Sequence, residues 1–311
     1  MDLASSRLLT GARASRRLPH PALAVALVLL FEIAPIALLA TVLAADVLPQ
    51  QLLSSALAQS ALFGSVFGLY VVQLWLWVRF RERRSLATLG LHQQGAVWRL
   101  LRGALVGVAV YLSILTLLVL TGMAGVRSEP SAGPGWAVSV AALIALVGWA
   151  VQGPAEELLF RGWLLPVVTA RAGLRWGIAV SSGLFALTHL LGGDVNLMMF
   201  LNLLLFGGFF AVWALREGSL WGVFGWHAAV NWVSENLVVV GEGAGVGPLT
   251  YGLLLGLDES GPDLLTGGTV GIESSLLTTV VLVVGITAIC RWPHRHGRAG
   301  ADEDRSAPVR T

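Results

Sequence analysis

Lysine is absent from the chain, and charge of either sign is scarce. Twenty arginines and 18 acidic residues make up 12% of its 311 residues and leave a formal net charge of +2. An ordinary soluble domain carries roughly 25% charged residues. A water-soluble globule, a disordered chain and a free-standing nucleic-acid binder are therefore poor starting points. Cysteine is rarer still. Cys290 stands alone, so no disulfide can close within the chain and no Cys-based metal cage can form. Apolar residues are abundant at 56%, with 37 glycines besides. A lipid bilayer is the solvent that suits such a composition.

A helix needs about 20 mostly apolar residues to cross the hydrocarbon. Eight such stretches are predicted, at about 22–45, 55–78, 100–122, 136–158 or beyond, 174–192, 195–214, 219–240 and 274–291. The expected fold is all-α, a polytopic membrane bundle of about eight transmembrane helices. Arginine accumulates in short cytoplasmic loops. With the N-terminus inside, 19 of the 20 arginines fall on the inner side and Arg127 alone lies outside. The opposite loops carry Asp46, Glu129, Asp194, Glu242, Asp258, Glu259, Asp263 and Glu273. Both termini are thus expected to be cytoplasmic: a segment 1–21, a membrane domain 22–291 with its core at about 136–240, and a polar tail 292–311. The apolar run from Pro21 to Ala45 exceeds the 7–15 residues of a signal-peptide core, so it reads as an uncleaved first span. Residues 92–99 read as a cytoplasmic loop, and most of the twelve tryptophans read as an interfacial belt.

Ionisable residues inside a membrane helix are costly and mark functional sites by default. Three clusters stand out. The fourth span holds Gly153-Pro154-Ala155-Glu156-Glu157-Leu158-Leu159-Phe160-Arg161, the fifth Phe185-Ala186-Leu187-Thr188-His189, and the seventh Trp226-His227-Ala228-Ala229-Val230-Asn231. Glu157 and Arg161 are four apart and can pair on one face, while Glu156 is turned by about 100° and stays available for chemistry. His227 and Asn231 share a stripe, and Phe185 can shield His189 from lipid. A rise of about 1.5 Å per residue sets His189 about 22 Å and His227 about 12 Å into their helices. Glu156 matches those depths if the fourth helix continues past Arg161 towards Ala170. Glu32, Glu235, Asn196 and Asn202 read as structural, the two asparagines as hydrogen bonders between helices.

The set Glu-Glu-x-x-x-Arg, Phe-x-x-x-His and His-x-x-x-Asn, in that order across one membrane core, resembles the CPBP family, the CAAX protease and bacteriocin-processing group also called Abi. Residues Gly218-Ser219-Leu220-Trp221 also look like the family's approach to its last motif. The resemblance covers about 136–240 and implies an intramembrane endopeptidase that cuts a protein or peptide substrate at the membrane. It implies that Glu156 activates a water with help from His189, that His227 and Asn231 stabilise the oxyanion, and that Glu157 and Arg161 support the geometry. The family is commonly described as metalloproteases. A divalent metal such as zinc on His189, His227 and Glu156 would make a two-His, one-carboxylate set, and both mechanisms stand at this point.

Other protease designs lack their motifs: there is no His-Glu-x-x-His, no Gly-x-Ser-x-Gly, and Leu191-Gly192-Gly193-Asp194 lacks the first glycine of an aspartyl Gly-x-Gly-Asp. The rival class is a non-catalytic membrane protein, either a proton-coupled transporter or an immunity or scaffold protein. Paired broken helices would favour the transporter, and Pro35 and Pro154 do not occupy equivalent positions. The expected location is the bacterial plasma membrane, with lipid and a peptide substrate as partners and no nucleic acid.

Overall fold

In a computed structural model, residues 3–46, 48–49, 55–126, 135–191, 195–240 and 255–291 are described. Eight principal helices follow the eight apolar stretches: α1 (Pro21–Ala44), α2 (Ala56–Leu76), α3 (Ala96–Leu120), α4 (Gly135–Glu157, continuing through Leu158–Leu164 to Leu165–Ala172), α5 (Leu174–His189), α6 (Leu197–Glu217), α7 (Trp221–Trp232) and α8 (Leu276–Arg291). Five of them, α1, α2, α3, α4 and α6, are long and apolar enough to cross a membrane. Among the described residues the molecule is all-α apart from one small sheet, and its apolar helices are those of an integral membrane protein.

The fourth helix does pass Arg161, reaching Ala172 through a π-helical stretch at Leu158–Leu164. A π-turn widens the helix locally and often accompanies a functional site. Every residue from Ala155 to Thr169 is buried. A helix buried on all sides must be apolar all round or pair its charges internally, which makes α4 the central post. Phe160, Trp163, Leu159, Leu164 and Leu165 form the middle of the core around it.

Small residues set how closely the other helices approach. A Cβ on Gly103 of α3 would overlap the carbonyl of Gly222, and one on Gly225 of α7 would overlap the carbonyl of Leu100. A Cβ on Gly153 of α4 would lie 2.9 Å from the Ala228 nitrogen. Without hydrophobic drive between helices in lipid, such backbone proximity supplies the van der Waals contact that holds them. Gly225→Val is therefore expected to cost at least the roughly 1–3 kcal/mol of an overpacked core. A thermal unfolding scan in detergent would show a lower midpoint, and an unchanged one would mean that the helices are not this close.

Three differences from the sequence reading have physical causes. First, α3 begins at Ala96 rather than at 100, so Arg99 and Arg102 sit on its first turns. From there both reach Glu217 at the end of α6: Arg102 is hydrogen-bonded to it, and Arg99 Nε lies 3.9 Å away. Second, the seventh span stops short as a helix. A π-turn at Val233–Leu237 follows α7, and Val238–Val240 is a strand, as suits three consecutive β-branched residues. That strand, β2, pairs in parallel with β3 (Leu255–Glu259), which pairs antiparallel with β1 (Ala124–Val126). Third, some tryptophans are interior rather than interfacial. Trp163 donates to Glu82 Oε1 at 2.8 Å and Trp149 to Asn236 Oδ1 at 2.7 Å, while Trp98, Trp136 and Trp176 are exposed.

Arginine-rich segments gather at one end of the bundle. The N-terminal turns, with Leu8, Leu9 and Ala12 fully buried, pack against the end of α4, the end of α6 and the Leu86–Leu89 turn. Arg84 pairs with buried Glu82 at 2.6 Å. Asn202 behaves as a hydrogen bonder between elements: its Nδ2 donates to the carbonyls of Glu273 and Ser275, and its Oδ1 accepts from Thr279. Arg127, Glu129, Asp194, Glu242 and the tail from 292 lie outside the described residues.

Candidate active site

The turn into α7 is built around one carboxylate. Glu217 accepts from the Ser219 hydroxyl at 2.9 Å, the Gly222 N–H at 3.1 Å and the Trp213 indole at 3.1 Å. Gly218 closes α6 with φ of 67°, the left-handed region that glycine adopts without penalty. This turn sends α7 back along α3 and α4 and brings His227 against the Glu-Glu pair.

Glu157 is the hub of the first half of the site. Its Oε1 accepts from Arg161 Nη1 at 2.9 Å and from His227 Nδ1 at 2.9 Å. Glu157 and Arg161 have no exposure at all. The guanidinium lies over the Phe185 ring at 4.3 Å and the Phe210 ring at 5.2 Å, and Phe210 stacks on His227 at 5.2 Å. Buried cation and anion are thus paired and walled by aromatic faces, the condition under which charge is tolerated in such surroundings.

Glu156 organises the second half. Its Oε1 accepts from Gln152 Nε2 at 2.6 Å, and Gln152 Oε1 in turn accepts from Asn231 Nδ2 at 3.0 Å. Its Oε2 is buried with no protein hydrogen-bond partner and lies 3.8 Å from His227 Nε2. Since Glu157 can only accept, His227 carries its hydrogen on Nδ1 when neutral. Nε2 then presents a lone pair towards Glu156. Two acceptors facing each other at that distance suit a water that donates one hydrogen to each.

His189 stands apart from these contacts. Its Nδ1 donates to the Phe185 carbonyl at 2.7 Å, and its ring packs on Phe185 at 4.5 Å. The same Phe185 ring is 6.3 Å from His227, so the two histidines flank one aromatic side chain. Five of the six candidate residues are joined directly or through Gln152, and His189 joins through Phe185. Among the described residues no three His, Cys, Asp or Glu side chains gather to hold a metal ion. Glu156 and His227 approach each other at 3.8 Å, while His189 contacts Phe185.

Other residues at the site escape the motifs. Gln152 lies one turn before Glu156 and carries the link to Asn231. Phe210 offers no sequence signal, being one aromatic residue among many on α6. Glu32 of α1 is buried near enough to Glu156 for the two charges to repel, with Thr188 beside its carboxyl. Glu235 has a buried Oε2 with no hydrogen-bond partner. In the turn before α8, burial pushes the Glu273 carboxyl up from its ordinary range, while His189 and His227 pull it down.

Residues 137–233 match the family model described as type II CAAX prenyl endopeptidase Rce1-like. The matched region spans the three motifs that carry the resemblance. No curated protein and no solved structure matches the chain. The Rce1-like region runs from the first turn of α4 to the residue after α7, so it contains all six candidate residues and Gln152. Helices α1, α2, α3 and α8, which wall it in, lie outside the match.

The Gln152 bridge makes a testable difference within the Rce1-like core. Gln152→Leu keeps the volume but frees both Glu156 Oε1 and the Asn231 amide. Hydrogen bonds to charged groups contribute about 1.5–3 kcal/mol each. The expected loss in kcat/KM is therefore about tenfold to a hundredfold, together with a lower thermal midpoint because buried polar atoms lose their partners, and full activity would remove Gln152 from the site.

Proposed function

We propose that the chain is an intramembrane endopeptidase of the CAAX-protease type that hydrolyses a peptide bond of a membrane-associated protein or peptide with a glutamate-activated water. The single observation that carries this reading is the unpartnered Glu156 Oε2, buried and facing His227 Nε2 at 3.8 Å. A carboxylate oxygen is kept out of water at a cost, and one left without a protein partner is poised to accept a proton.

In the proposed sequence, a water donates to Glu156 Oε2 and His227 Nε2 and its oxygen attacks the scissile carbonyl carbon. Glu156 takes the proton as the C–O bond forms, and the carbonyl π electrons move to the oxygen. Asn231 commits one amide hydrogen to Gln152 and keeps the other for that oxyanion, where a preorganised donor has most effect. The C–N bond then breaks and Glu156 returns the proton to the leaving nitrogen. His227 is held by Glu157, which Arg161 holds in turn, so this pair positions the imidazole. His189 assists from across Phe185.

The proposed setting is eight spans with both termini cytoplasmic, in a bacterial plasma membrane, with segment 1–21 and tail 292–311 on the inner side. The gathering of arginine-rich segments at one end supports this orientation. The transporter reading is disfavoured by the donor and acceptor arrangement, which serves one hydrolytic centre rather than a relay across the membrane. The test is hydrolysis in ¹⁸O-water by the chain reconstituted in vesicles with membrane proteins from cells lacking it. New carboxyl termini carrying one solvent oxygen are expected. An absence of new termini, or termini without solvent oxygen, would overturn the proposal.

A further inference from the structure

A concave site lies at the arginine-rich end, where the N-terminal turns meet the end of α4. A cavity of about 410 Å³ is lined there by Arg13, Arg16, Arg171, Ser15 and Leu18. That volume falls within the roughly 300–1,000 Å³ of small-molecule pockets. Arg171 is fixed in place, its Nη2 donating to the Leu18 carbonyl at 2.7 Å. Among the described residues none of the three arginines has a carboxylate partner, whereas Arg84, Arg102 and Arg161 each have one. Three cations on one cavity repel one another, and an anion removes that repulsion.

The position narrows the anion. Leu18 is three residues before α1 begins at Pro21, and Arg171 is one residue before α4 ends at Ala172. Both mark the level at which two helices leave the hydrocarbon, where phospholipid phosphates lie. Leu18 is buried and supplies an apolar wall beside the guanidinium groups. A phosphate diester with an attached glycerol fits both halves of such a lining: guanidinium forks bind phosphate oxygens in pairs, and basic pockets between membrane helices at the surface take anionic headgroups.

We propose that this cavity binds the headgroup phosphate of an anionic phospholipid and so ties the N-terminal turns to the end of α4. The alternative source of the same chemistry is soluble phosphate. The site shares no residue with the peptidase centre, so the two proposals stand or fall separately.

The test uses the full chain, delipidated in neutral detergent, and short-chain phosphatidylglycerol as the probe, with phosphatidylcholine and inorganic phosphate alongside. Each basic residue near an anionic lipid contributes about fivefold in binding. The variant with Arg13→Gln, Arg16→Gln and Arg171→Gln should therefore bind phosphatidylglycerol about a hundredfold more weakly. A control with Arg79→Gln, Arg81→Gln and Arg83→Gln loses the same charge outside the cavity and should bind phosphatidylglycerol clearly more tightly than the cavity variant. Should the first variant fail to fold, Arg13→Gln alone is expected to lose about fivefold. Equal losses in the two triple variants, or phosphatidylcholine binding as tightly as phosphatidylglycerol, would overturn the proposal. Inorganic phosphate binding as tightly as the lipid would overturn it in favour of a soluble ligand.

Discussion

Glu156→Gln is expected to lower kcat about 10²- to 10⁴-fold, the usual worth of a positioned general base, with KM and the thermal midpoint close to wild type. The separation of effects follows from the geometry. The amide keeps a carbonyl oxygen for Gln152 Nε2, which now donates to Oε1 at 2.6 Å, and it occupies the same volume. What it cannot do is accept a proton from water at the position of Oε2. The substitution also replaces a buried carboxylate by a neutral amide, which is cheaper to keep out of water, so the variant should be no less stable. Glu156→Asp keeps the acid but withdraws it by one methylene and should recover part of the rate. A loss of stability equal to the loss of rate would instead mark Glu156 as a structural carboxylate.

Arg161→Met carries the largest expected effect on stability. Arg161 and Glu157 are both fully buried and paired at 2.9 Å, and Glu157 also holds His227. Removing one partner of a buried pair leaves an uncompensated charge and costs about 3–5 kcal/mol, although the pair itself contributes little net stability. Methionine fills the volume between Phe185 and Phe210, so the loss reports on charge rather than on a cavity. A double-mutant cycle with Glu157→Gln checks this: the second substitution should restore part of the stability because it removes the stranded carboxylate. It should not restore activity, since His227 then has a weaker anchor. Additive losses in the cycle would mean that the two side chains act independently.

The local parts of this site are readable along the chain, and the long-range parts are not. Glu157 and Arg161 lie four apart on a helix, and the pair forms as that spacing implies. The continuation of α4 past Arg161 towards Ala170 follows from requiring Glu156 to match the depth of the two histidines, and the helix ends at Ala172. The bond from His227 to Glu157 joins residues 70 positions apart. Nothing in either motif shows which of two adjacent glutamates the imidazole will meet, and the contact turns Glu157 from a helper of Arg161 into the anchor of His227. Gln152 is four residues before Glu156 and could be found by the same spacing rule, but a lone glutamine in a membrane helix carries no charge to draw attention to it. Val238–Val240 ends an apolar run that fits a helix or a buried strand equally well; pairing with Leu255–Glu259 decides it. Glu273 reads as part of an acidic outer loop, and only the anchoring of its carbonyl by Asn202 at 2.7 Å turns that segment inward.

The most direct measurement is a comparison of wild type and Glu156→Gln, each reconstituted in vesicles with membrane proteins from cells lacking the chain, by mass spectrometry of newly formed peptide termini. Termini that appear with wild type and are absent with the variant over the same interval are the expected result. The same termini arising with both proteins would contradict a hydrolytic centre built on Glu156.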